Sequence, residues 1–267
     1  MKKRIVALLS VAVMIISCFA LTGCGSSDSG SDSDLSYVQD KGTLVVGITD
    51  FAPMDYKDDN GDWIGFDADL ARAYAESIGV EVEFIEINWD SKEMELENKN
   101  LDCVWNGMTL TDGVKEAMEC SNAYCNNAQI VVVNKAKADS IKSAEDCKDL
   151  AFAVEAGSAG EEQAQANEFN STGVETQADA VMEVAAGTAD ACIIDSLMAG
   201  AMVGEGTSYP DLVATVGLNE ELYGVGFRKG SDMAASLNEF LAAAYDDGTV
   251  KEVAEKYGTA ESIIKPE

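Results

Sequence analysis

The chain has 267 residues, 48 of them Asp or Glu against 18 Lys and Arg, and no histidine, for a net charge of −30. That charge repels nucleic acid and anionic lipid, and the missing imidazoles exclude Ser-His-Asp and Cys-His catalysis and histidine zinc sites. The 7 cysteines form no CxxC pair, so no thiol metal or redox motif is present.

Lys2, Lys3 and Arg4 precede an apolar run over 5–21 that leads into Leu21-Thr22-Gly23-Cys24. A basic start, an apolar stretch and a small-residue processing site make 1–23 an export signal; an uncleaved membrane anchor is the alternative reading of the run. The Leu-Thr-Gly-Cys segment resembles the lipobox of bacterial lipoproteins. That resemblance implies lipidation of Cys24, with two acyl chains anchoring the mature chain without a spanning helix. Loss of the leader removes three cations and no acid, moving the net charge from −30 to −33. Residues 25–34 offer nothing apolar to bury, so 24–36 read as a flexible tether.

From Thr43 onward, short apolar runs alternate with longer amphipathic ones, as a parallel α/β sheet with crossover helices requires. Thr43 to Ile48 reads as a buried strand, and 54–66 as a hairpin about Asn60-Gly61. Asp58, Asn60, Asp62 and Asp69 imitate part of a calcium loop, but Trp63 stands where its glycine belongs. Phe66, Leu70, Tyr74 and Ile78 share one helix face, with Asp67 placed to cap the start and Gly79 to end it. A strand over 80–87, a helix from about Lys92 to Asn98 and a strand over 101–105 complete a first unit. A second series runs from 128 through strands in "LAFAV", "ADACIID" and "DLVATV", with helices after Gly157 and over 178–186. "YGVGFRKG" then leads into two closing helices. Cys103 and Cys192 fall in strand-like runs and read as buried apolar residues, while a Cys120–Cys125 bridge stays open.

Ligands of open parallel sheets collect beyond the carboxyl ends of strands. Three such places stand out: a turn at 106–111, the helix start "EAGSAGE" over 155–161, and Asp195 directly after "ACII". Free N–H groups at the Gly157-Ser158-Ala159-Gly160 helix start favour an anionic group, although a plain serine cap explains the same residues. Asp195 ends an apolar strand, where an ionised carboxylate needs a cation or several donors; capping of the next helix is its plainer reading. Phe51 offers a flat apolar wall or a core aromatic. Neither "EAGSAGE" nor "GVGFRKG" matches a nucleotide loop, so no cofactor or metal is expected.

Taken together, "GTLVVGITDFAPMDYKDDNGDWIGFDADLARAYAESIGVEVEFI", "INWDSKEMELENKNLDCVWNGMTLTD", "GSAGE", "TADACIIDS" and "LYGVGFRKG" resemble, in order, the signature segments of bacterial extracellular solute-binding proteins of family 3. The likeness runs from about Lys41 to Gly258. It implies a two-lobed periplasmic-binding-protein-like fold of type II, with lobe 1 over 37–130 and 224–267 and lobe 2 over 131–223. Two strands would cross between the lobes near Gln129–Asn134 and 222–227. The resemblance implies a monomeric receptor that takes a small amino acid or amine to ABC permease and ATPase subunits. A lipid anchor and long tether suit a Gram-positive-type cell surface. Carried over by position, Phe51 packs on the ligand side chain. Asn106, Gly107 and Thr109 contact its ammonium and carboxylate, Ser158 and Ala159 donate to the carboxylate, and Asp195 pairs with the α-ammonium. An enzyme of the same fold using Glu155, Asp195 or Asp112 as acids, a sensor ectodomain, and a receptor for a different small solute are the rival readings.

Val114 departs from the family pattern, which has a carboxylate-clamping arginine there. Three substitutes stay open: Lys115 as a point charge, the Ser158 helix start with Thr109 alone, or a ligand lacking a free carboxylate. Asp50 and Glu155 add to Asp195 a cleft richer in anions than cations, so a ligand with extra positive charge is expected.

Overall fold

The structure is a computed structural model and describes residues 33–266; the leader and the expected lipidation site at Cys24 lie outside them. Along the chain come α1 (Asp34–Lys41), β1 (Thr43–Ile48), the hairpin β2 (Tyr56–Lys57) and β3 (Trp63–Ile64), and α2 (Phe66–Ile78). Then follow β4 (Glu81–Glu86), α3 (Lys92–Glu97), β5 (Cys103–Thr109), α4 (Asp112–Ala117), β6 (Glu119–Cys120) and β7 (Cys125–Asn127). The next group is β8 (Gln129–Asn134), β9 (Ala151–Glu155), α5 (Ala159–Ala166), β10 (Asn170–Val174), α6 (Gln177–Ala186), β11 (Ala191–Asp195), α7 (Ser196–Met202) and β12 (Leu212–Gly217). The chain ends with β13 (Glu221–Phe227), α8 (Met233–Asp247) and α9 (Thr249–Tyr257).

These elements form an α/β fold of two lobes. One sheet has the order β4-β1-β5-β13-β6 with β7 also on β13, and the other the order β10-β9-β11-β8-β12. β4, β1 and β5 are parallel, as are β10, β9 and β11. In these two sheets the antiparallel pairings are β13 with β5, β6 and β7, and β8 with β11 and β12. The chain passes from the first sheet to the second at Ala128 and returns over 218–220. Leu218 N donates to Gln129 O at 2.8 Å and Asn219 Oδ1 accepts from Gln129 N at 2.7 Å, so the two crossings are tied to one another.

Buried apolar faces follow the sequence periodicity. Phe66, Leu70 and Tyr74 of α2 are fully buried against the first sheet, each turn placing its residue over the one before. Cys103 and Cys192 are buried, and the five cysteines among the described residues are unpaired.

Three local expectations change. Asp67 does not cap α2: the N-cap is Gly65, without a side-chain hydrogen bond. Asp67 instead turns inward, where Oδ2 accepts from Gly107 N at 2.6 Å and from the Tyr124 hydroxyl at 2.8 Å. Composition carries the tether through residue 36, yet α1 begins at Asp34. Polar anchors from a distant segment hold it: Leu35 N donates to Asp232 at 3.0 Å, and Arg228 pairs with Asp34 at 3.0 Å. Finally, Asn106 to Thr109 are the end of β5 rather than a turn, because pairing with β13 continues through Thr109.

Candidate ligand site

The carboxyl ends of β5, β9 and β11 converge on one small cavity. Phe51, Asn106, Gly107, Thr109, Glu155, Ser158, Ala159 and Asp195 all line it. Asp50 does not. It is exposed and lines a separate cleft with Glu86, Asn88 and Asp179; its neighbour Phe51 takes the inward direction, and successive side chains in extended chain face opposite ways.

Phe51 forms one wall, edge-on to Tyr223 with ring centroids 6.3 Å apart. Gly107 makes this approach feasible. Its φ is +53, and a Cβ would stand 2.5 Å from Phe51 Cε1, so both backbone conformation and space demand glycine. The Asn106 side chain is turned away from any ligand. Its Oδ1 accepts from Thr49 N and Oγ1 at 2.8 and 2.7 Å, while Nδ2 donates to Thr49 O and Asp55 Oδ2 at 3.1 and 2.8 Å. Both amide protons are thereby used.

Asp195 closes the far end. Asn127 and Gln129 donate to its Oδ1, the latter at 2.9 Å, and so does the Tyr223 hydroxyl at 2.7 Å. Among the described residues its Oδ2 accepts from Gln177 alone, which leaves that oxygen with unused acceptor capacity. Gln177 Oε1 in turn accepts from Asp195 N at 2.8 Å, fixing the side chain from both sides. Burial, and then the charge of Glu221, raise the Asp195 pKa well above the carboxylate range. Glu155, one strand away, is 2% exposed and its Oε1 has no hydrogen-bond partner among the described residues. Burial, reinforced by Asp195 and opposed by Lys92, pushes its pKa to about 8.

The helix start is partly occupied. Ser158 Oγ donates to Glu155 O at 2.7 Å and caps α5 by accepting from Glu161 N at 3.2 Å, while Gly157 N is taken by Glu161 Oε2 at 2.9 Å. Val114 lines the cavity, its N–H capped by Thr111 Oγ1 at 3.2 Å. Lys115 is exposed and does not line the cavity. Arg72 is committed to Trp63 O at 2.5 Å and Asp69 at 3.2 Å, and Arg228 to Asp34 and Leu101 O.

This ordered arrangement at strand ends accompanies a match of residues 44–260 to the profile of "Bacterial extracellular solute-binding proteins, family 3". The chain belongs to that family. Among similar proteins is the arginine-binding extracellular protein ArtP of Bacillus subtilis (strain 168), 30% identical, with 98% of this chain and 100% of ArtP covered. A crystal structure of a P235GK mutant of ArgBP from T. maritima superposes with a TM-score of 0.79 at 31% identity, covering 84% of this chain and 98% of that one. The ancestral amino acid-binding protein AncCDT-1, a precursor of cyclohexadienyl dehydratase, superposes at 0.77 with 35% identity, over 84% and 99%.

Within this family-3 protein, the cavity-lining residues that sequence reasoning missed include Lys92, Trp89, Gln177 and Glu162. Lys92 had a detectable signal: it falls three residues after Trp89 and four before Leu96, on the face of both apolar residues. Gln177 had none, since its value lies in meeting Asp195 from a different helix.

Proposed function

We propose that the protein is the solute receptor of an ABC importer, closing its two lobes around a small amino acid or related amine of positive charge. Its lobes divide at the paired crossings, and it delivers its ligand to separate permease and ATPase subunits from an extracytoplasmic position, held by a lipid on Cys24. The carrying observation is the pair of buried carboxyl groups at neighbouring strand ends, Glu155 with an unpartnered oxygen and Asp195 with spare acceptor capacity. Buried carboxylates demand cationic or hydrogen-bonding partners, and a ligand ammonium supplies both. Phe51 packs against the ligand, with Thr109, the backbone of Asn106 and Gly107, and the Ser158–Ala159 helix start around it.

A thermal-shift panel tests the reading. Lysine, arginine or ornithine is expected to raise the melting midpoint; if only acidic or aliphatic amino acids do so, the charge preference is wrong. Glu155, held near pH 8, favours a second reading as the general acid of a lyase or dehydratase. Mass spectrometry of a bound solute after incubation separates the two, an unchanged mass supporting the receptor.

A further inference from the structure

The charges of this cavity narrow the solute further, resting on the receptor reading above. Lys92, at the start of α3, is 6% exposed. Its ammonium lies 5.0 Å from the Trp89 ring centroid and donates to Trp89 O at 3.2 Å and to Gly157 O at 2.9 Å. An ammonium has three protons, so one is left without a protein acceptor among the described residues. Among the described residues lining the cavity, Lys92 is the one cation. It bonds the carbonyl of Gly157, two residues before Ala159, where the first turn of α5 leaves N–H groups without intrahelical acceptors. Cationic and backbone donors thus meet at one corner, in a wall otherwise supplied with the buried acids Glu155 and Asp195 and the exposed Glu162.

We propose that Lys92 is the counter-ion for the ligand's carboxylate and Glu155 the partner of its side-chain cation, the α-ammonium falling to Asp195. The solute is then a basic α-amino acid, its carboxylate facing Lys92 and its two cations facing the buried Glu155 and Asp195; the third acid lining the cavity, Glu162, is exposed. A simple amine brings no anion to Lys92, which is costly in a closed cavity, and an acidic or aliphatic amino acid brings no cation to Glu155, which then keeps its proton. Lys92 thereby fills the role left by Val114 from a different element, and neither the helix start alone nor a carboxylate-free ligand is needed.

The test is calorimetric titration of the wild type, Lys92→Met and Lys92→Arg with L-arginine and with agmatine, the same guanidinium without the carboxylate. Wild type is expected to prefer arginine by about thirty-fold or more, as for a buried, hydrogen-bonded charge pair. Lys92→Met is expected to bring the two affinities within about threefold, by losing arginine, and Lys92→Arg to recover most of the preference. Lys92→Gln replaces Lys92→Met if the latter does not fold. An arginine preference unchanged in the uncharged variant overturns the assignment, leaving Lys92 as a tie between α3 and the Gly157 loop. Equal wild-type affinity for agmatine overturns it too. Binding of a neutral or acidic amino acid, with neither probe bound, overturns the ligand class while the receptor reading stands. If no member of a broad amino-acid and amine panel binds, both fall.

Discussion

Replacing Glu155 by glutamine should stabilise the ligand-free protein in a pH-dependent way. The carboxyl is 2% exposed, and Asp195, Lys92, Gln177 and Asp179 are the groups that act on it besides burial. Its folded pKa of about 8 exceeds the ordinary value of 4.5. A group raised in this way contributes stability that is fully present below the unfolded value and is lost as pH rises through the folded one. Between 4.5 and about 8 the unfolded chain releases a proton that the folded chain retains, at about 1.4 kcal/mol per pH unit. The accumulated loss is about 5 kcal/mol by pH 8, an order-of-magnitude figure. Glu155→Gln keeps shape and polarity but cannot titrate. Urea unfolding at pH 5, 6, 7 and 8 without ligand should therefore show the variant gaining on the wild type by about 1.4 kcal/mol per unit and then levelling. The variant should also bind a cationic ligand at least about tenfold more weakly, by loss of a charge-assisted bond. Parallel pH profiles for the two proteins would refute the reasoning, because they would mean that water reaches the carboxyl in the ligand-free protein.

Two further outcomes follow from the geometry. Gly157 has φ +71, and a Cβ would stand 2.8 Å from Asp90 Cα; Gly157→Ala should cost about 1–2 kcal/mol in backbone strain and lower ligand affinity by preventing the approach of Asp90, read by calorimetry and by a larger radius of gyration in the presence of ligand. Tyr223→Phe removes the 2.7 Å bond to Asp195 Oδ1 and should weaken ammonium binding by about tenfold, from the usual 1.5–3 kcal/mol of a hydrogen bond to a charged group reduced by the donors that remain; an unchanged dissociation constant in calorimetry would remove Tyr223 from the account.

Much of the site was legible because its residues stand at strand ends, and strand ends announce themselves. "ACIID" and "LAFAVE" are apolar runs closed by an acid, and both acids line the cavity. Side-chain direction was less legible. Asp50 and Asn106 have suitable chemistry at suitable positions, but Asp50 faces another cleft and Asn106 spends its amide on Thr49 and Asp55. Asp67 shows the same limit: an acid beside a helix start resembles a cap in one dimension, whereas the fold places it against Gly107 N and Tyr124.

Local periodicity and turn chemistry determined the alternation of strands and helices, the two-part organisation and the ordered motifs that mark the family, because those patterns depend on neighbours close in the chain. Only the tertiary structure decided which charges share the cavity. Lys92 meets Gly157 across 65 residues, Gln129 meets Asp195 across 66 and Asn127 meets Glu221 across 94. A buried charge is governed by what lies within a few ångströms of it, and the folding of distant segments onto one another sets those distances.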